Sequence, residues 1–119
     1  MKRSWYAAAV ALALTGCSPC TKLTERLCRD LGDECAAWKE ADGPKALVGS
    51  ARGGRVMCES FLAAEASLPL KVLWARRHLY TRELERARAG NDQAAIDAAE
   101  RKLDEVRKQS EALAAKLGL

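Results

Sequence analysis

The sequence predicts an all-α protein, and three observations support that prediction. Ala, Leu, Glu, Arg and Lys, which favour helices, are abundant. Runs of alternating β-branched residues, which are typical of strands, are absent. Apolar residues in the second half of the chain recur at intervals of three and four, the period of one helix face. We expect short disulfide-linked helices followed by a C-terminal antiparallel helical hairpin.

Length and charge limit the function classes. With 119 residues and a formal net charge of +4, the chain holds at most one ordinary domain. Two of the positive charges, Lys2 and Arg3, lie in the N-terminal leader described next, so the remaining chain is nearly neutral. It has no dense stripe of Lys and Arg interleaved with aromatic residues, which is typical of nucleic-acid-binding surfaces. We therefore expect no nucleic-acid partner.

Residues 1–16 have the three parts of an export signal. Lys2 and Arg3 give a positive start, the run 5–14 is apolar, and small residues precede Cys17. The apolar run is roughly half of the ~20 residues that a membrane-spanning helix needs. We predict a signal peptide that is removed, which leaves a mature chain beginning at Cys17.

The stretch Leu-Thr-Gly-Cys at 14–17 resembles the lipobox of bacterial lipoproteins. The resemblance covers residues 1–18 and implies a diacylglycerol on the Cys17 sulfur, an acyl chain on the new amino group, and no other cofactor. Each buried CH₂ contributes about 0.8 kcal/mol, so several chains anchor a protein firmly. Ser18 resembles the outer-membrane sorting class, which implies the periplasmic face of the outer membrane or the cell surface. An ordinary cleaved signal peptide is the alternative.

Cysteine counting favours the lipid independently, because five cysteines are an odd number for an exported chain and acylation of Cys17 leaves four. These four are Cys20, Cys28, Cys35 and Cys58. In one continuous helix Cys28 and Cys35 would be about 10 Å apart, whereas bonded Cα atoms lie within about 7 Å. A break at Gly32 permits Cys28–Cys35 and leaves Cys20–Cys58, which we slightly prefer. Cys20–Cys35 with Cys28–Cys58 fits nearly as well, so both pairings stay open.

Two other uses of the cysteines are disfavoured. Cys17 and Cys20 form a C-x-x-C, but a thioredoxin-like centre needs a βαβ unit, and an acylated Cys17 has no thiolate. The other four lack the close pairs of zinc modules, and an oxidising envelope favours disulfides. We expect no metal site.

Residues 17–68 are predicted to form short helices around these cysteines. Ser18-Pro19 is typical of a helix start, with Ser18 as the cap. The first helix has a leucine face made of Leu23, Leu27 and Leu31. A short continuation after Gly32 carries Cys35 and Trp38 to a Gly43-Pro44 stop.

A flexible loop is predicted at about 43–54, where the chain has four Gly, one Pro and one Ser without a sustained apolar period. Arg52 and Arg55 are interpreted as part of a solvated turn, and a contact with a phosphate or carboxylate is the alternative. Helical spacing resumes at Val56 and continues to Leu68.

Residues 69–119 are predicted to form the hairpin, packed as one domain with 17–68. The first helix runs to about Ala89, and Gly90-Asn91 is interpreted as a C-cap followed by an N-cap. Its apolar stripe, interrupted by Arg77, consists of Leu70, Leu73, Tyr80, Leu84 and Ala87. The seam of the second helix consists of Ile96, Ala99, Leu103, Val106, Ser110, Leu113 and Leu117. Antiparallel pairing of the two stripes is the main prediction, and an intermolecular coiled coil is the alternative. The oligomeric state stays open.

Catalysis is not predicted. His78 is the only histidine, and beside Arg76 and Arg77 it fits a helix-face residue better than a base. The sequence has no Gly-rich phosphate loop after a strand, no H-E-x-x-H and no nucleophile elbow. The arginines between 76 and 88 suit a mild basic face over an anionic membrane, but pairing with Glu on a neighbouring helix explains them more simply.

The sequence therefore predicts a non-catalytic lipoprotein of the cell envelope, anchored to a membrane through Cys17. Its mature part resembles small cysteine-containing helical envelope lipoproteins only in style. The first hypothesis is that it binds another envelope protein through residues 70–117, which an exposed apolar seam would support. A spacer that holds a module off the membrane is the second, and a small surface inhibitor, immunity or exclusion protein is the third.

Overall fold

The computed structural model describes residues 18–48 and 54–119, which are 91% helical and contain no strand. The all-α prediction is confirmed for these residues. The α-helices are α1 (Pro19–Leu31), α2 (Cys35–Glu40), α3 (Gly43–Val48), α4 (Gly54–Ala63), α5 (Leu68–Ala89) and α6 (Gln93–Leu117). Single 3₁₀ turns lie at Gly32–Glu34 and Glu65–Ser67. The predicted signal peptide and Cys17 lie outside the described residues.

Helix α1 begins and ends where its sequence predicts. Pro19 occupies the first turn, and Ser18 precedes it with extended backbone, although the Ser18 side chain makes no capping hydrogen bond. The predicted leucine face is buried. Gly32 ends the helix with a φ of 60°, a conformation that glycine adopts without a Cβ penalty. The chain therefore bends at the position that a Cys28–Cys35 bond requires.

The loop predicted at 43–54 is wrong for residues 43–48, which form α3. Pro44 lies in the first turn of this helix, where its missing N–H and fixed φ are compatible with helical backbone. Asp42 takes the left-handed conformation, with a φ of 55°, and turns the chain from α2 into α3. Helix α3 packs against α5, so tertiary contacts hold a segment with little apolar periodicity. Residues 49–53 lie outside the described part of the chain, and Gly54 already begins α4.

Helix α5 contributes to two hydrophobic clusters. One side of α5 faces α1, α2 and α4, and the side chains in that cluster are Leu68, Val72 and Ala75 with Leu23, Leu27, Leu31, Trp38 and Cys58. Another side contributes Leu73, Leu79 and Tyr80, which cluster with Val106 of α6. The predicted stripe captured only the side toward α6. When a helix is apolar on several sides, its sequence shows little difference between an apolar and a polar face. The second apolar stripe, through Val72, was therefore not predicted.

The turn between α5 and α6 differs by one residue from its prediction. Asp92, not Asn91, is the N-cap of α6, because its carboxylate accepts the N–H of Ala95 at 3.1 Å. Asn91 instead adopts the left-handed conformation with a φ of 53°, which Asn tolerates better than most residues. Gly90 keeps a φ of −88°. All seven residues of the predicted α6 seam are buried or half-buried.

Trp38 fixes the position of α3 relative to α2. Its indole ring is completely buried and lies against the backbone of Gly43. A Cβ added at Gly43 would lie 2.0 Å from Trp38 Nε1 and 2.1 Å from Cδ1. The close approach of ring and backbone therefore requires glycine at this position.

We expect Gly43→Ala to lower the free energy of unfolding by about 1–3 kcal/mol, the usual cost of overpacking a tight site. Gly90→Ala is the matched control, since its added Cβ would meet the Arg86 carbonyl at 3.6 Å and the Ala87 carbonyl at 3.9 Å, both ordinary contact distances. Urea unfolding followed by circular dichroism measures both variants. Equal losses in the two variants would contradict the packing of Trp38 on Gly43.

Candidate functional site

Two disulfides join the first helices. Cys20 is bonded to Cys58 with a Cα–Cα distance of 5.0 Å, and Cys28 is bonded to Cys35 at 4.9 Å. This is the slightly preferred of the two pairings that the spacing left open. The first bond ties α1 to α4, and the second closes the turn around Gly32. The fifth cysteine, Cys17, lies outside the described residues, so its predicted acylation stays a prediction.

A polar cluster connects the 3₁₀ turn at Gly32–Glu34 with α5. Arg76 Nε donates a hydrogen bond to Glu34 Oε1 at 3.0 Å, and the Tyr80 hydroxyl donates to Glu34 Oε2. Arg76 Nη2 also donates to the backbone carbonyl of Asp30 at 3.4 Å. Each carboxylate oxygen of Glu34 therefore has a donor from α5, which is a favourable arrangement for a partly buried charge.

The environment of Tyr80 disfavours the phenolate. Burial of the ring raises the pKa of Tyr80 well above its ordinary value, and the hydrogen bond and negative charge of Glu34 raise this pKa further. Arg76 opposes the shift, and Glu83 adds to it. Tyr80 thus stays protonated and keeps donating to Glu34 throughout the neutral pH range.

A cleft of about 380 Å³ lies beside this cluster, between the 3₁₀ turn, α5 and α6. Its lining residues are Glu34, Arg76, Tyr80, Arg101, Lys102, Glu105, Val106 and Gln109. Lys102 Nζ lies 3.3 Å from Glu83 Oε2 and 5.2 Å from the centroid of the Tyr80 ring. Charged side chains of both signs thus surround Val106 and the ring of Tyr80 in this cleft.

The sequence interpretation missed this cleft. Glu34 is 42 residues from Arg76 and 46 from Tyr80, and no local pattern links such distant positions. The available signal was that Arg76 and Tyr80 stand four residues apart on one helix, which places both on the same face. Glu34 had no comparable signal, since it lies in a turn whose shape depends on Gly32.

His78 lies apart from the cleft. Its ring is half-buried, and Nε2 lies 2.5 Å from the carbonyl oxygen of Ala41. A carbonyl can only accept, so Nε2 carries the proton and donates. His78 thereby holds the end of α2 against α5, which is a structural contact.

The arginines of α5 are largely engaged in ion pairs. Arg76 pairs with Glu34, Arg82 with Glu85 at 3.4 Å, and Arg88 with Glu100 of α6 at 3.8 Å. Among these three pairs, Arg88–Glu100 joins α5 to a neighbouring helix, as the simpler interpretation of the basic residues expects, whereas Arg82–Glu85 lies within α5 and Arg76 pairs with the 3₁₀ turn. The two exposed pairs, Arg82–Glu85 and Arg88–Glu100, contribute roughly 0–1 kcal/mol each, so they add little to the stability of the fold.

Within residues 18–48 and 54–119, no group of three or more His, Cys, Asp or Glu side chains is arranged to hold a metal ion. In the same ranges, no helix combines the length and apolarity needed to cross a bilayer.

Comparison of the chain with protein-family models, curated proteins and solved structures gave no match. Function is therefore inferred from the residues and contacts described above.

We expect the Tyr80 phenol to ionise only well above pH 10, the ordinary tyrosine value. Because its pKa is raised in the folded state, its contribution to stability is complete below about pH 10 and declines as the pH rises toward the folded pKa. Tyr80 and Tyr6 are the two tyrosines of the chain, so ultraviolet absorbance of a chain lacking residues 1–16 follows Tyr80 alone.

Glu34→Gln should lower the Tyr80 pKa part of the way toward its ordinary value, because burial of the ring remains. Glu59→Gln, at an exposed glutamate of α4, is the matched control and should leave the titration unchanged. An ordinary tyrosine titration in the native protein would contradict the Glu34–Tyr80 contact.

Proposed function

We propose that the chain is a non-catalytic lipoprotein of the bacterial envelope, held at a membrane by acyl chains on Cys17. The cysteine pairing carries this proposal. Two disulfides engage four of the five cysteines, and the cysteine that they leave is the one that the lipobox-like stretch at 14–17 marks. An exported chain with one unpaired cysteine at that position is best explained by lipid attachment.

The start of the folded part agrees with an anchor at Cys17. Helix α1 begins at Pro19, two residues after Cys17, and the Cys20–Cys58 bond follows at once. A lipid on Cys17 would therefore hold the helical body directly at the membrane surface. Ser18 favours the periplasmic face of the outer membrane or the cell surface as the location.

We infer that α5 and α6 form the antiparallel hairpin that the sequence predicts. Arg88, near the end of α5, pairs with Glu100, near the start of α6. Glu83, earlier in α5, pairs with Lys102, later in α6, at 3.3 Å. The α5 residue that lies earlier in the chain therefore pairs with the α6 residue that lies later, and this order supports an antiparallel arrangement.

The proposed role of the hairpin is to bind another envelope protein. Ala99 and Val106 of its apolar seam are buried and the other seam residues are half-buried, so the seam is a weak candidate for a partner surface. The cleft beside Glu34 is the better candidate, because Arg101 and Glu105 on its α6 wall are exposed. A partner with charged side chains of complementary sign fits this surface.

The second candidate role is that of a spacer. The described residues extend 59 × 39 × 26 Å, and the 25 residues of α6 correspond to about 37 Å of helix. An elongated body on a lipid anchor is suited to holding its far end away from the membrane.

We expect Cys17→Ala to abolish labelling of the full-length protein by a palmitate analogue and to leave an uncleaved precursor in cells. The matched control is the double variant Cys20→Ala and Cys58→Ala, which loses a disulfide but keeps Cys17, and it should remain labelled. Gel mobility and labelling together measure the outcome. Unchanged labelling of Cys17→Ala would refute the proposed anchor.

For the partner, we expect a photo-crosslinking amino acid at Arg101 to give an adduct with a second envelope protein in intact cells. Arg77 is the control position, since it is an exposed arginine of α5 that does not line the cleft. Immunoblotting and mass spectrometry identify the adduct. Absence of an adduct at Arg101, or equal adducts at both positions, would reject the cleft as the binding surface and favour the spacer role.

A further inference from the structure

Exposed apolar side chains are concentrated on α4 and α5. Within the described residues, four large hydrophobic residues are strongly exposed, and three of them are Val56 at 66%, Met57 at 41% and Trp74 at 43%. The fourth, Leu119, is near the C-terminus. Single exposed apolar residues need no explanation, but a connected group of them indicates an interaction surface.

Lys71 connects the exposed residues of the two helices. Its Nζ lies 4.3 Å from the centroid of the Phe61 ring on α4 and 3.6 Å from that of Trp74 on α5. Phe61 follows Met57 by four residues, so the two share a face of α4. Lys71 thus joins Phe61 on α4 to Trp74 on α5, and Met57 lies one helical turn before Phe61. We call these four residues, with Val56 next to Met57, the α4–α5 strip.

The charge of Lys71 has no anionic partner within the described part of the chain. None of the salt bridges there includes it, although the residue is only 9% exposed. Burial accordingly lowers the pKa of Lys71 from its ordinary value. The Lys71 ammonium thus lies between two aromatic rings and has no carboxylate partner among the described residues.

The strip begins beside the point of lipid attachment. Met57 directly precedes Cys58, whose Cα lies 5.0 Å from that of Cys20. Ser18 is two residues before Cys20, a distance of at most about 7 Å, and is joined by its peptide bond to Cys17. Acyl chains on Cys17 would therefore enter the membrane at the end of the molecule that carries Val56 and Met57.

We propose that the α4–α5 strip docks onto the lipid surface that holds the chain, an inference that rests on the proposed acylation of Cys17. Val56 and Met57 add apolar area to the contact, in the manner of interfacial helices. Trp74 has an apolar ring and a polar N–H, which suits the boundary between acyl chains and headgroups. The Lys71 ammonium lies against the ring of Trp74, which is 43% exposed, so a lipid phosphate beside Trp74 supplies the missing negative partner.

Tryptophan fluorescence tests the docking directly. Without residues 1–16 the chain has two tryptophans, Trp38 and Trp74, and Trp38 is completely buried. The acylated protein is reconstituted into vesicles of phosphatidylethanolamine and phosphatidylglycerol, with and without brominated acyl chains. We expect brominated lipid to quench Trp74 and the vesicles to shift its emission to shorter wavelength.

Three variants assign that signal to the strip. Trp74→Phe retains only Trp38 and should show no quenching by brominated lipid. Met57→Glu should lose most of the quenching, because it places a charge in the contact. Leu119→Glu, at an equally apolar exposed residue outside the strip, is the matched control and should quench like the unchanged protein.

Vesicle flotation separates the docking from the anchor. Protein that floats with the vesicles but shows no quenching of Trp74 overturns the docking and leaves the anchor intact. Protein that does not float overturns the anchor, and the docking with it. An emission shift that increases with protein density without quenching means that a second copy or another protein covers the strip, which also overturns the proposal.

Discussion

Burial of α5 on more than one side is the constraint on which the rest of the fold depends. This helix gives Val72 and its neighbours to the cluster with α1 and α4, and Leu73 and Tyr80 to the cluster with α6. A small protein has little apolar material, and one helix that serves two clusters connects helices that do not share a cluster. The consequence is that polar residues of α5 lie close to packed helices and need fixed partners. Glu34 supplies such a partner for Arg76 and Tyr80.

The elements that could be predicted are those with a local cause. The seam of α6 repeats from Ile96 to Leu117, so its inward face was clear from spacing, and Gly32 marked a break after the first helix that permits Cys28–Cys35. Helix α3 could not be predicted, because its short Gly-Pro start resembles a loop and its stability comes from contacts with Trp38 and α5. The capping residue of α6 was displaced by one position, since Asn and Asp both suit caps and only the backbone conformation of Asn91 decides between them.

The charged cleft and the α4–α5 strip could not be predicted from local sequence patterns. Each combines residues that are far apart in the chain, and each includes a residue whose surroundings are set only by the fold. In the sequence Arg76 is one of several arginines of a surface helix, whereas in the structure it pairs with Glu34. Lys71 likewise looks like a solvated helix residue, whereas in the structure its ammonium lies between Phe61 and Trp74. These environments arise only from tertiary packing. The positions of the cysteines, in contrast, are visible in the sequence and indicate which residues can be cross-linked.

The two disulfides are nested, with the Cys28–Cys35 bond enclosed by the Cys20–Cys58 bond, whose members are 38 residues apart. If the chain is exported with its N-terminus first, as proposed, both members of the inner pair emerge before Cys58, so the native bond of Cys20 forms only after that of Cys28 has become possible. Helix α5 follows Cys58, so oxidation can be complete while the cluster still lacks Leu68, Val72 and Ala75. Covalent closure would then hold the first helices together during translocation, before the apolar packing that later surrounds them has arrived.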